Sequence, residues 1–223
     1  MKKVILTLCF FMMVCAGTAN AQALNLKIGL FSPEMNSDLW ETNMENLALI
    51  KQDMRDLVYA IEYEQFFRRH FSVSIEGSYF SKERYTQYRD YEYDDGSAIY
   101  QNLALEITGV EINFKLYPNT YRNVFCPFIG AGLGIYYWHY EQWGEFLNFD
   151  DFTVEEGYAD TSAYTPGMNV RAGFVVRFSR SSAFSFEAKY QYLKGQLSSL
   201  FEGFDKLDMN GLALSIGFNL FMY

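Results

Sequence analysis

Phe128-Ile129-Gly130-Ala131-Gly132-Leu133-Gly134-Ile135-Tyr136-Tyr137-Trp138-His139-Tyr140 alternates strictly in character. Ile129, Ala131, Leu133, Ile135 and Tyr137 share one parity, while Gly130, Gly132, Gly134 and Tyr136 share the other. A period of two is that of a β-strand with one apolar face and one nearly bare face. Glycines repeated along one face weaken an ordinary strand and mark a place where other groups come close to the backbone. Alternating glycine also occurs in phosphate-binding loops. Those need Gly-x-Gly-x-x-Gly or a closing Lys-Ser/Thr, and neither is present. The stretch therefore predicts a barrel strand whose inner face is left empty for bulky neighbours, with Phe66, Phe80, Arg171 and Arg177 as candidates to fill it.

Working outward, the same period recurs over residues 24–31, 57–67, 71–81, 103–116, 168–178, 184–192 and 212–222. Residues 103–116 are the least regular. Val110, Ile112, Phe114 and Leu116 share a face, but Leu103, Leu105 and Ile107 have the opposite parity, which predicts a bulge near Gly109. Leu39, Trp40, Met44, Leu47 and Ile50 show loose helical spacing and predict a short helix in the first connection. Connections alternate in length: 68–70, 118–123 and 179–183 are short, whereas 32–56, 82–102, 141–166 and 194–210 are long. Short turns at one end and long loops at the other are expected of a transmembrane barrel. The predicted fold is all-β: an eight-stranded antiparallel up-and-down transmembrane β-barrel with short periplasmic turns and long extracellular loops.

The two faces decide between that barrel and a soluble one. The apolar parity carries no Asp, Glu, Lys or Arg within the strand cores, and its many Phe and Tyr side chains would not fit inside eight strands. The apolar face is expected to meet lipid. The inward parity then holds five acids (Glu62, Glu64, Glu76, Glu111, Glu187) and five bases (Lys27, Lys115, Arg171, Arg177, Lys189), enough to predict a lumen filled by a balanced ion-pair network. Outward aromatics sort by height. Phe67, Phe71, Phe125, Phe178 and Phe184 lie toward the short turns; Tyr59, Tyr79, Tyr137, Tyr190 and Tyr192 lie toward the long loops. Two such belts are expected at membrane interfaces.

Residues 1–21 read as a cleaved secretory leader: Lys2 and Lys3, an apolar run over 4–15, and Ala19-Asn20-Ala21 as the small-residue cleavage site. Val14 ahead of Cys15 argues against a lipoprotein anchor. The barrel domain is then 22–223, with 16 basic against 27 acidic residues, a balance that excludes nucleic acid as a partner. Cys126 remains as a single cysteine, which makes no internal disulfide. The 21 Phe, 18 Tyr and 3 Trp, with no spanning helical run after the leader, point to a chain that meets lipid as strands.

Residues 22–223 resemble the small outer-membrane β-barrel family that includes outer membrane proteins W and X and the membrane domain of outer membrane protein A. The most specific pieces are Leu26-Lys27-Ile28-Gly29-Leu30-Phe31-Ser32-Pro33, Gly109-Val110-Glu111-Ile112 and Phe128-Ile129-Gly130-Ala131-Gly132-Leu133-Gly134. Phe218-Asn219-Leu220-Phe221-Met222-Tyr223 is similar to the terminal signal read by the barrel-assembly machinery, although the apolar parity ends one residue early, at Met222. The resemblance implies a Gram-negative outer membrane, with its lipid and lipopolysaccharide as partners, and a monomer. It implies little about activity.

Three functions are open. The first is a non-enzymatic barrel acting through its outer loops, with no cofactor and no metal. The acidic stretch Glu141, Glu145, Asp150, Asp151, Glu155, Glu156 and Asp160 is either a solvated loop or a surface for divalent cations. The second is a narrow passage for small apolar solutes. The third is an enzyme acting on lipid A, for which only His70 and His139 could serve as base; no serine stands near His139 in the sequence, the next downstream being Ser162.

Overall fold

The computed structural model describes residues 21–149 and 151–222. The expected leader, residues 1–21, lies outside the described residues but for Ala21, which is the first residue of a strand. Eight antiparallel strands close into a ring: β1 (Ala21–Pro33), β2 (Asp56–Arg68), β3 (Phe71–Glu92), β4 (Ala98–Leu116), β5 (Phe125–Leu147), β6 (Val154–Arg177), β7 (Ser182–Tyr192) and β10 (Gly211–Met222). Each pairs with its sequence neighbours, and β1 pairs with β10 from Gln22↔Met222 to Pro33↔Gly211. Within the ring closure leaves no unpaired strand edge, which is what a sheet without water around it requires, while β3 beyond Phe80 and β6 before Met168 project past their β2 and β7 partners.

One end of the barrel carries the short turns 69–70, 117–124 and 178–181. The other end is built differently from the expected four long loops. β3 and β4 continue well past the apolar segment and meet at a turn over 93–97, and β5 and β6 do the same around 148–153. Much of 82–102 and 141–166 is therefore β-hairpin rather than loop. Alternation of apolar residues fades there because the buried inward positions mix polar side chains such as Thr86, Gln101, Gln142 and Thr161 with apolar ones such as Ile99 and Leu147, although the backbone ladder continues. Each hairpin tip is a side-chain-capped turn. Asp95 accepts hydrogen bonds from Ser97 N and Oγ (2.9 and 2.6 Å), and Asp151 accepts them from Thr153 N and Oγ1 (3.1 and 2.7 Å). The side-chain hydroxyls foremost, and the backbone amides with them, hold both carboxyls below the usual range.

The connection after β1 does contain a short helix, α1 (Asp38–Asn46), followed by a 3₁₀ turn at Lys51–Met54. The segment before β10 adds a two-stranded piece, β8 (Lys194–Gln196) with β9 (Lys206–Asp208).

No bulge occurs near Gly109. The registers β3–β4 and β4–β5 run unbroken through it, pairing Ser78↔Gly109 and Gly109↔Tyr136. Leu103, Leu105 and Ile107 point inward, as do Glu111, Asn113 and Lys115. What changes along β4 is the interior, which is charged beside residues 111–115 and apolar beside 103–107. The opening stretch behaves likewise, since Tyr136, Trp138 and Tyr140 lie on the glycine parity and are buried.

The outward face is apolar: Phe114, Ile129, Leu133 and Ile135 are 62%, 56%, 67% and 62% exposed. Near the short turns Phe71, Phe125, Phe178 and Phe184 are exposed, with Phe178, Phe184 and Phe218 in ring contact. Farther along, Tyr59↔Tyr79, Tyr79↔Thr108, Thr108↔Tyr137 and Tyr137↔Tyr164 make one continuous row across β2 to β6.

Candidate functional site: the charged lumen and its apolar plugs

β2, β3 and β4 place Glu62, Glu76 and Glu111 directly opposite one another in register. Like charges at such positions repel. The relief comes from the other side of the lumen, where Arg171 on β6 pairs in register with Lys189 on β7. Arg171 reaches Glu76 at 2.9 Å, Glu111 at 2.7 Å and Glu187 at 3.5 Å. Lys189 lies 2.9 Å from both Glu76 and Glu111. Lys27 from β1 touches Glu62 and Glu76 at 2.8 Å and Glu187 at 3.0 Å; Lys115 holds Glu62 at 2.8 Å and Glu64 at 3.2 Å. The bonds run across the bore, so the network ties opposite walls together.

Arg177 stands apart from this cluster. It lies at the short-turn end, with its guanidinium 4.0 Å over the Phe221 ring and donating to the Tyr121 and Arg180 carbonyls. The sequence reading counted it as the fifth base. Its place at the last residue of β6 sets it at the short-turn plug, and among the described residues the bonds across the bore join five acids and four bases. Neutral side chains on the same parity, which the charge count passed over, complete the cluster. Tyr117 and Ser72 donate to Glu64 (2.6 and 2.5 Å), Ser74 to Glu62 (2.5 Å), Asn25 to Glu62 (2.9 Å), and Asn169 and Tyr136 to Glu111 (2.9 and 2.7 Å). Their inward parity was the available signal.

The glycines of β5 are where this network needs space. A Cβ at Gly130 would stand 2.7 Å from the Phe114 carbonyl oxygen and 3.1 Å from Arg171 Cγ; one at Gly134 would meet the Val110 carbonyl and Glu111. At Gly132 it would overlap Asn113 and crowd Asn169. Of the four bulky neighbours expected, Arg171 is beside the glycines. Phe66 and Phe80 belong instead to the plugs below and above the charges, because barrel shear decides which residues face each other. Gly132→Val is expected to cost about 1–3 kcal/mol through overpacking, read as a lower urea midpoint of the refolded barrel.

The charges are sealed at both ends. At the short-turn end Phe66, Tyr117, Tyr121, Phe128 and Phe221 pack together, Phe66 stacking on Tyr121 at 4.3 Å. Cys126 is buried in the same plug. At the hairpin end Phe31, Trp40, Phe80, Leu103, Leu105, Tyr136, Trp138 and Tyr140 form a larger plug into which α1 inserts Trp40. Above it lies a cavity of about 240 Å³ lined by Leu39, Tyr88, Phe146, Leu147 and Phe201, with Asn43, Gln101 and Gln142 among its polar groups.

The acidic stretch lies on the β5–β6 hairpin, where Glu141 opposes Asp160 and Glu145 opposes Glu156; Asp150 lies outside the described residues. His139 Nε2 lies 3.3 Å from Glu141 and 3.7 Å from Asp160. The strand pairing brings Ser162 directly opposite His139, a neighbour the linear spacing hid, although no hydrogen bond joins the two among the described residues. His70 sits in a short turn with Nδ1 2.9 Å from the Tyr117 carbonyl oxygen.

No protein-family model and no curated protein sequence matches the chain. Solved structures do match its shape. The outer membrane protein OprG from Pseudomonas aeruginosa is similar over 92% of this chain and 97% of its own, at TM-score 0.58 and 13% identity. Neisserial surface protein A covers 90% and 96% at TM-score 0.49 and 10% identity, and the attachment invasion locus protein Ail of Yersinia pestis 91% and 98% at 0.47 and 12%. At these identities the likeness speaks of the fold, and the chain has the fold of the small eight-stranded outer-membrane β-barrel proteins.

Proposed function

We propose that the chain is a non-enzymatic integral outer-membrane protein of a Gram-negative envelope, exported by its leader, whose work is done on the surface of its projecting hairpins. The supporting observation is the inversion of polarity. Leu133 and Ile135 are 67% and 62% exposed, while Glu62, Glu76, Glu111 and Arg171 are at most 3% exposed. In water that arrangement would leave a continuous apolar exterior unburied; in a bilayer it meets the solvent it suits. On this reading the short turns face the periplasm, the hairpins face outward, and outer-membrane lipid and lipopolysaccharide surround a monomeric barrel. β10, with Phe221 inward and Met222 outward, is the strand offered to the assembly machinery.

The tightly filled lumen supports a sealed barrel. The refolded chain in a planar bilayer is expected to show no single-channel conductance, with or without divalent cations. Discrete conductance steps would overturn the sealed-lumen reading. A second reading, a narrow passage for small apolar solutes, is favoured by the mainly apolar cavity at the hairpin end; any such solute would first have to displace Trp40 and Tyr140 from the plug beneath it. Lipid A chemistry would need a serine on the His139 ring nitrogen opposite the acids at Nε2, and among the described residues no hydrogen bond joins His139 to Ser162.

A further inference from the structure

The charged residues of the barrel are sorted along its axis. The three short turns contribute Arg68, Arg69, Arg122 and Arg180, with Arg177 beside them, and no Asp or Glu occurs within 66–75, 116–128 or 177–184. The opposite end holds most of the acids, including the pairs Glu141↔Asp160 and Glu145↔Glu156. A random scatter of a chain with 27 acids would not leave one end free of them.

Two of the turns are fastened into a cleft. Arg177 Nη1 donates to the Tyr121 carbonyl at 3.0 Å and its Nη2 to the Arg180 carbonyl at 2.5 Å, while its backbone amide donates to the Val124 carbonyl at 2.8 Å. One buried guanidinium thus clamps turn 117–124 to turn 178–181. The clamp sets Arg122 and Arg180, both exposed, on the rim of a cleft of about 640 Å³ lined also by Val124, Arg177, Phe178 and Ser179. Val124 and Phe178 are 69% and 57% exposed and continue into the apolar exterior through Phe125 and Phe184. The cleft therefore has a cationic, hydroxyl-bearing floor at the barrel end and an apolar wall on the side where acyl chains would run.

We propose that this cleft binds the headgroup of an anionic phospholipid of the periplasmic leaflet, its phosphate taken by Arg122 and Arg180 and its acyl chains lying along Val124 and Phe178. The inference rests on the outer-membrane reading and on the short turns facing the periplasm. Guanidinium groups suit phosphate oxygens because their fixed donors match them in pairs. The adjoining apolar wall selects a lipid over a soluble phosphate.

The test uses the full barrel refolded into nanodiscs of equal phosphatidylglycerol and phosphatidylcholine, with the lipids retained by the released protein counted by native mass spectrometry. Phosphatidylglycerol is expected to be retained in preference, by roughly fivefold for each arginine engaged. Arg122→Gln with Arg180→Gln should abolish the preference while leaving heat-modifiable migration intact. Millimolar inorganic phosphate should not erase it. Equal retention of the two lipids by a heat-modifiable barrel, or a preference untouched by the double variant, overturns the lipid site alone. Loss of the preference to inorganic phosphate reassigns the cleft to a soluble anion and overturns it too. A chain that never inserts as a barrel overturns the outer-membrane reading and the site together.

Discussion

Replacing Arg171 with leucine is expected to lower the stability of the refolded barrel by about 3–5 kcal/mol, the range for breaking a buried pair by removing one partner. Arg171 has a side chain with no exposed surface, and it serves Glu76, Glu111 and Glu187 at once. Leucine would fill part of the volume but leave Glu76 and Glu111 facing each other in register, with Lys189 as the cation they share and Lys27 on Glu76 alone. Its Nε also donates to Asn169 at 3.0 Å, so one amide contact goes as well. The measurement is the urea midpoint in phosphatidylcholine vesicles. The same substitution in a Glu111→Gln background should cost less, with a coupling of about 0.5–3 kcal/mol, because one of the orphaned charges has already been removed. An unchanged midpoint would sink the idea that the charges brace the barrel.

Trp40→Ala should have an effect of similar size but in a different place, about 3–5 kcal/mol confined to the outer plug. α1 is nine residues long, and its first residues have no side-chain cap, so it is too short to hold itself in water. Trp40 holds it down, being fully buried, donating from Nε1 to the Asp208 carbonyl at 3.0 Å and meeting Tyr140 edge-on at 5.2 Å. Without that indole the helix should leave its seat while the barrel below stays closed. Hydrogen exchange would report it: amides of residues 38–46 becoming fast while those of β1 and β10 stay protected. Protection unchanged at 38–46 would mean that Leu39 and the Asn43–Tyr140 hydrogen bond suffice to hold the helix.

Parity made the wall of this barrel legible, because a strand between lipid and a filled lumen must alternate. It located the eight strands and turned Ile129, Leu133 and Ile135 outward and the glycines inward. It misread Leu103, Leu105 and Ile107 as evidence of a bulge, since alternation reports contrast between two faces and not which face is which. Where the interior changed from charged to apolar, the contrast reversed without any change in the backbone. The hairpin extensions of β3–β6 were hidden for a related reason: their buried inward positions include polar side chains such as Thr86, Gln101 and Gln142, so the ladders carry little apolar pattern. The partners of the lumen charges were beyond sequence altogether. Arg171 meets Glu76 across the bore whereas Arg177 donates to the Tyr121 carbonyl at the short-turn end, a difference set by shear and by a height of three residue pairs along one strand.

The aligned carboxylates of Glu62, Glu76 and Glu111 also bear on the timing of assembly. All three come from β2–β4, whereas Arg171 and Lys189 come from β6 and β7. A sheet half built from its amino-terminal side would present an acidic row with only Lys27 and Lys115 at hand. Such an intermediate tolerates water and resists entry into lipid, where a charge without a partner is costly. The last seam, β1 against β10, joins positions as distant as Gln22 and Met222. On the outer-membrane reading, closing the ring and neutralising the row are therefore coupled, and a nearly complete cylinder suits lipid better than a half-built sheet.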